Sequence, residues 1–322
     1  MTRDEETLSE RIRALHARIA YMCLEPGKGI DTMRMVQIYS GMVCELLLEY
    51  ELPGEMMASF MGDMAKALRL EDGEIVIEEM AFPPIYVLDK EIEFGRSFAR
   101  EITFDNWDDV HDGLKTLSNL IVHDFNLWEE VTLDKKESYA LFHECLRFAL
   151  AFEFAAQDIC DMLIEEKIGK ESWSLGDCIS GLSAIAGYQA GLGQKRKPPH
   201  RDPISEIDEI IFILTQEATR LGVPGGKDWR AGLAANDMPI NPPMELIDGA
   251  LPLCMKYAAF IDVSCDMHIA ALVAKACGRM IAVAAGGDFP EIEPAIAKPL
   301  AMMALTESHR YQEDKKFGSE YR

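Results

Sequence analysis

An all-α fold, a multi-helix bundle in two lobes, is predicted by three observations. Apolar residues recur at three- and four-residue spacing through most of the 322 residues. Pro and Gly clusters punctuate these runs instead of the short, regularly spaced turns of a β protein. The composition, 48% hydrophobic and 27% charged, suits a chain with a large core and excludes disorder as the dominant state.

The elements follow in order. Leu8–Leu24 reads as an amphipathic helix ending before Pro26-Gly27. Asp31 is placed to cap a second helix that runs to about Tyr50. Leu52-Pro53-Gly54 breaks it, and a third helix runs to about Leu70. Residues 73–89 differ. The β-branched run Ile75-Val76-Ile77 sits between acids, and Pro83-Pro84 precede Ile85-Tyr86-Val87-Leu88, so one short β-hairpin or an extended arm is expected there. Helices resume at about 90–102, 106–130, 136–168 and 172–193. The segment 194–203, QKRKPPHRDP, is basic and Pro-rich and is expected to link an N-terminal helical lobe, 1–193, to a C-terminal one, 204–322. In the second lobe a helix is expected at about 204–221, a loop at 222–243, a long core helix at 244–285 and a last helix at 294–312.

The net charge is −23, from 32 Lys and Arg against 55 Asp and Glu. No nucleic acid is expected as a partner, because phosphate-backbone affinity rests on Lys and Arg displacing counterions. Eight Cys without a CxxC pair, most inside apolar helical runs, read as small buried hydrophobes in a cytoplasmic protein. Thr2–Arg13 is charged and lacks an apolar core segment, so no signal peptide is expected at the start of the chain. Leu251–Ala285 is the most apolar region. Lys256, Asp262, Asp266, Lys275 and Arg279 interrupt it, which predicts a core helix and no membrane insertion.

The densest acidic stretch, residues 71–112, holds 13 Asp and Glu against 3 Lys and Arg. Within it Asp105, Asp108, Asp109 and Asp112 share one arc of a helix. Carboxylates so placed are candidate ligands for Mg²⁺ and, through it, a diphosphate. The simpler reading is that Asp105 caps the helix and the other acids favour its positive end. Asp108-Asp109-x-x-Asp112 resembles the aspartate-rich motif of class I terpenoid synthases, which are all-α, and Arg310-Tyr311 resembles another element of bacterial members. Gly226-Lys227-x-x-Arg230 is similar to a diphosphate-binding stretch of the related chain-elongating prenyltransferases. The second metal motif of that family is not matched, since Asn236-Asp237 is followed by Pro239, Pro242 and Pro243.

His123-Asp124, after Leu120-Ile121-Val122, resembles the central pair of HD-type metal phosphohydrolases, with His143 on the next helix as the nearest further ligand type. Cys265-x-x-His268 is a lone pair of zinc-type ligands. On helix 136–168 the polar arc carries His143, Glu144, Arg147, Asp158, Asp161 and Glu165. Glu153 falls instead among Phe142, Leu146, Ala149 and Ala156. A carboxylate there must be paired, protonated or bound. Burial of Glu153 against a Lys, Arg or His of the C-terminal lobe is therefore expected. Glu153, His143, His123 and Asp124 are the residues to which catalysis would fall. Ser183, Gly187 and Gly191 form a small-residue stripe, read as tight packing within the chain or, more sharply, as a homo-oligomer interface.

The function expected from these features is that of an acidic interaction, scaffold or regulatory protein with a protein partner, a basic one suiting residues 71–112. Two alternatives stand beside it. One is a metal-dependent all-α enzyme acting on a phosphate or diphosphate through Asp108, Asp109 and Asp112 or through His123 and Asp124. The other is a helical bundle that binds a small apolar ligand.

Overall fold

The computed structural model describes residues 7–25, 27, 29–70, 88–102, 107–128, 133–171, 173–196, 203–224, 241, 243–286 and 291–311. It is an all-α protein with one two-stranded hairpin among the described residues. Two compact units divide it, Met1–Leu150 and Ala151–Arg322.

The first unit contains α1 (Leu8–Met22), α2 (Thr32–Leu47), α3 (Pro53–Leu68), α4 (Leu88–Arg100), α5 (Trp107–Trp128) and the first half of α6 (Lys135–Leu163). Thr7 caps α1 in a reciprocal box with Glu10, and Asp31 accepts the Arg34 N–H at 3.0 Å to start α2, as the sequence rule requires. The hairpin pairs β1 (Leu24–Glu25) with β2 (Gly29–Ile30). It turns at Gly27, whose φ of 79° is open to glycine at no steric cost. The hairpin expected at 73–89 lies outside the described residues, except that Leu88 and Asp89 open α4.

α2 is the central element, buried on nearly every side against α1, α3, α4 and α5. It meets α4 backbone to backbone. A Cβ on Gly41 would strike the Ile92 carbonyl, and a Cβ on Gly95 would strike the Ile38 carbonyl. In the core of this unit Ile12, Ile19, Tyr39, Met42, Leu117, Ile121, Phe125 and Phe142 are essentially inaccessible.

The second unit holds the rest of α6, a π-helical segment (Ile164–Ile168), the single turn α7 (Gly169–Glu171), α8 (Leu175–Arg196), α9 (Pro203–Arg220), α10 (Pro243–Phe260), α11 (Asp266–Ala285) and α12 (Pro294–Tyr311). α8 is its centre, packed on α9, α10, α11 and α12. Gly187 lies against the Leu305 backbone of α12 and Ser183 bonds back to the Ile179 carbonyl, so the small-residue stripe serves packing within the unit. The basic stretch 194–203 runs from the end of α8 to the start of α9, two helices of this unit that pack on each other.

The expected helix 244–285 is two helices. α10 ends where Asp262 takes the left-handed conformation at φ 58°, with Asp262 N–H on the Ala259 carbonyl at 3.2 Å and Val263 N–H on the Ala258 carbonyl at 2.8 Å. This is a Schellman termination with an apolar C″ residue. Arg69-Leu70 close α3 and Gly222-Val223 close α9 by the same bonds. α11 then runs through the core. It is the one described helix long and apolar enough to cross a membrane, and 78% of that window is buried within the protein.

Candidate functional site

Glu153 is 3% exposed, on the α6 face that the helical wheel assigns to the core. Its Oε1 is 2.6 Å from the Lys275 Nζ. Its Oε2 takes the Arg220 Nη2 at 3.3 Å and also the Arg279 Nη2. Arg220 and Arg279 in turn hold Glu217, which is fully buried on α9. Arg220 donates from Nε at 3.0 Å and from Nη2 at 2.5 Å. The Arg279 Nε stands 2.9 Å from the Glu217 Oε1, an ion contact without an aligned hydrogen bond. Arg279 also donates to the Gln157 Oε1 at 2.6 Å.

Sequence spacing sets this network. Glu217 and Arg220 are one turn apart on α9, as are Lys275 and Arg279 on α11, and both turns face the α6 turn that carries Glu153 and Gln157. Both oxygens of Glu153 thus face cations.

A second buried ion network lies in the first unit. Arg96, with no exposed surface, donates from Nε to the Glu45 Oε2 at 2.8 Å and from Nη1 to the Glu93 Oε1 at 3.1 Å. Arg100 reaches the Glu45 Oε1 at 2.9 Å. Burial by itself would raise the Glu45 pKa. The guanidinium groups of Arg96 and Arg100 outweigh it and hold the carboxyl below the ordinary value. Arg34 binds Glu91 at 3.0 Å. Two acids of the stretch 71–112, Glu91 and Glu93, are thus buried and paired inward.

The adjacent residues His123 and Asp124 part company. His123 is exposed. Asp124 is buried and accepts the Tyr39 hydroxyl at 2.5 Å, with the His16 Nε2 at 2.9 Å from the same oxygen. His16 and Tyr39 lie parallel with ring centroids 6.0 Å apart. Burial first, and then the Asp124 charge, raise the Tyr39 phenol well above its usual pKa. The partners of Asp124 come from α1 and α2, far along the chain and without a motif to announce them.

His143 sits on α6, half-buried, with its Nδ1 3.5 Å from the Glu144 Oε1. Burial lowers its pKa despite that carboxylate. Asp105 lies outside the described residues, as do Gly226, Lys227, Arg230, Asn236 and Asp237. Asp108 and Asp112 are exposed and Asp109 half-buried in the first turns of α5. Arg310 and Tyr311 end α12. Among the described residues, neither Asp108, Asp109 and Asp112 nor Cys265 with His268 belongs to a close group of three or more ligand-type side chains.

The cysteines are all free thiols, and all but Cys265 are buried. Burial pushes Cys145, Cys160, Cys178 and Cys254 up to about 12 and Cys23 to about 11, so these thiols stay protonated and unreactive at neutral pH.

What the second unit presents outward is different. On α10 the buried stripe Leu246, Ile247, Ala250, Cys254 and Ala258 is backed by an exposed row at Pro252, Met255 and Ala259, with Phe260 82% exposed beside it. The outer face of α6 and of the π-helical segment that follows it carries Phe154, Asp158, Asp161 and Glu165, all exposed at four-, three- and four-residue spacing. The two faces adjoin at Tyr257. Burial raises its phenol pKa most, and the charges of Asp158 and Asp161 raise it further. Among the described residues no cation pairs with Asp158, Asp161 or Glu165; Asp161 takes only the Gln157 amide at 2.9 Å. Sequence reasoning placed these acids on the polar arc of their helix, but a long core helix through Asp262 left no free outer face on α10. Compared with known proteins, the chain matches no family model, no curated protein and no solved structure.

Proposed function

We propose that this chain is an interaction protein whose working surface is the outward face of α10. The observation that carries the reading is the apolar row Pro252, Met255 and Ala259 with Phe260 standing almost fully out of the protein. Isolated apolar residues at a surface are ordinary, whereas a contiguous row on one helix, ended by an exposed aromatic, is the form of a docking patch. The inward pairing of Glu153, Glu217, Glu45 and Glu93 supports the same reading, because these ionisable groups are spent on the core.

The test is reconstitution. The wild-type chain is expected to co-elute at fixed stoichiometry with a purified partner. Phe260→Asp and Met255→Asp should each abolish the complex while leaving the melting temperature within about 2 °C, as surface substitutions generally do. A complex that forms equally well with both variants would place the working surface elsewhere.

A further inference from the structure

The acidic rim beside α10 specifies what the patch receives. We infer that the α10–α6 face binds a basic amphipathic helix of a partner protein, its apolar side on Met255, Ala259 and Phe260 and its Lys or Arg residues on Asp158, Asp161 and Glu165. The inference rests on the interaction reading above and adds the chemistry of the partner.

Three observations carry it. The apolar positions Pro252, Met255 and Ala259 repeat at three- and four-residue spacing, the period at which a second helix lays its own anchors. The three carboxylates, Asp158 and Asp161 on α6 and Glu165 on the π-helical segment that continues it, also stand about one turn apart, so they repel one another and no described cation relieves them. Two buried acids of the same unit, Glu153 and Glu217, are by contrast matched by Arg and Lys. The α6 stripe is therefore exposed negative potential bordering an apolar row, with Lys256 the one cation on the exposed face of α10. Its complement is a helix that is apolar on one side and cationic on the flank. A second copy of this chain is disfavoured as the occupant, because it would bring another acidic stripe, and a net charge of −23, to the same place.

The probe is an 18-residue helical peptide of Leu, Lys and Arg with a fluorescent label, read by anisotropy with the full chain. Beside it run an isomer with Glu in place of Lys and Arg and a neutral one with Gln. The basic peptide should bind, and Asp158→Asn with Asp161→Asn should weaken it about five- to tenfold at low salt, the scale of two rim charges. Phe260→Ser should weaken it at every salt concentration. Asp108→Asn with Asp112→Asn, an equal charge change on α5, should leave the affinity within about twofold, which separates docking from attraction to any acidic protein. Equal losses from the α5 and α6 variants overturn the inference. Binding of the Gln or Glu peptide as tightly as the basic one, lost on Phe260→Ser, overturns the partner chemistry but keeps α10 as a docking face. A dimer in sedimentation that Phe260→Ser disrupts overturns it in favour of self-association. No binding by any of the three peptides overturns it as well. The interaction reading itself then stands or falls on the reconstitution with Phe260→Asp.

Discussion

The Glu153 carboxylate and the Lys275 ammonium meet at 2.6 Å with both side chains almost wholly withdrawn from water. Such a pair is tolerated because each partner removes the cost of burying the other. Replacing one alone leaves an uncompensated charge in the core. Here the dependence is wider, since Arg220 and Arg279 lean on the same carboxylate and on Glu217. Glu153→Leu is therefore expected to destabilise the protein by about 3–5 kcal/mol, and Glu153→Gln by less but well beyond the range of a surface change. Denaturant unfolding measures both. In a double-mutant cycle Lys275→Met should cost much less in the Glu153→Leu background than alone. Additive effects would show that the two residues do not act as a pair.

Gly95 is the position where α2 and α4 approach most closely, with a Cβ driven into the Ile38 carbonyl. The obstacle is backbone, which cannot rotate away. Gly95→Ala should destabilise by at least about 1–3 kcal/mol despite its better helix propensity. Gly54, at the start of α3 and with open space around it, is the control, and Gly54→Ala should be neutral or stabilising. If both variants unfold together, the helices are further apart than described.

Two shifted groups give the protein an acid limb. His143 has a lowered pKa, so at mildly acidic pH the unfolded chain takes up its proton before the folded one does. The penalty on folding is absent above the unfolded value near 6.5 and grows as pH falls below it toward the folded value. Glu45 is depressed by Arg96 and Arg100, so its stabilisation is present above the unfolded carboxylate value and is lost as pH falls through the folded one. The midpoint of urea unfolding should decline from pH 7 to 5.5, and His143→Gln should flatten that part of the curve. A wild-type midpoint that rises over the same interval has the wrong sign for this account.

Asp262 occupies a left-handed position that closes α10, where glycine pays no Cβ penalty. Asp262→Gly is expected to hold or raise stability by up to about 1 kcal/mol, while Asp262→Val should lower it. Were the valine variant as stable as wild type, the helix would continue through this position.

The contrast between Gly222 and Asp262 explains what could be read from the sequence. Both residues end helices by the same pair of backbone bonds. Glycine announces such an ending and aspartate does not, so the end of α9 was legible and the end of α10 was not. The fold class, the cap at Asp31 and the burial of Glu153 were open to reading because each follows from local spacing. The identity of its partners was legible only as a charge sign, since Lys275 and Arg279 reach it across more than 120 residues of chain. Asp124 shows the same limit. Its neighbour His123 suggested a metal pair, but consecutive residues on a helix point about 100° apart, and Asp124 turns to His16 and Tyr39 instead. The exposed α10 row was hidden by the assumption of a single helix from 244 to 285.

The outward face of α10, with its acidic border on Asp158 and Asp161, is the proposed docking surface. Hydrogen–deuterium exchange of the full chain, with and without the basic helical peptide, tests that most directly. Binding should slow exchange across residues 252–260 of α10 and residues 154–165 of α6 and the π-helical segment after it, leaving α2 and α5 unchanged. Protection confined to α5, or an α10 segment that exchanges equally fast in both samples, would contradict it.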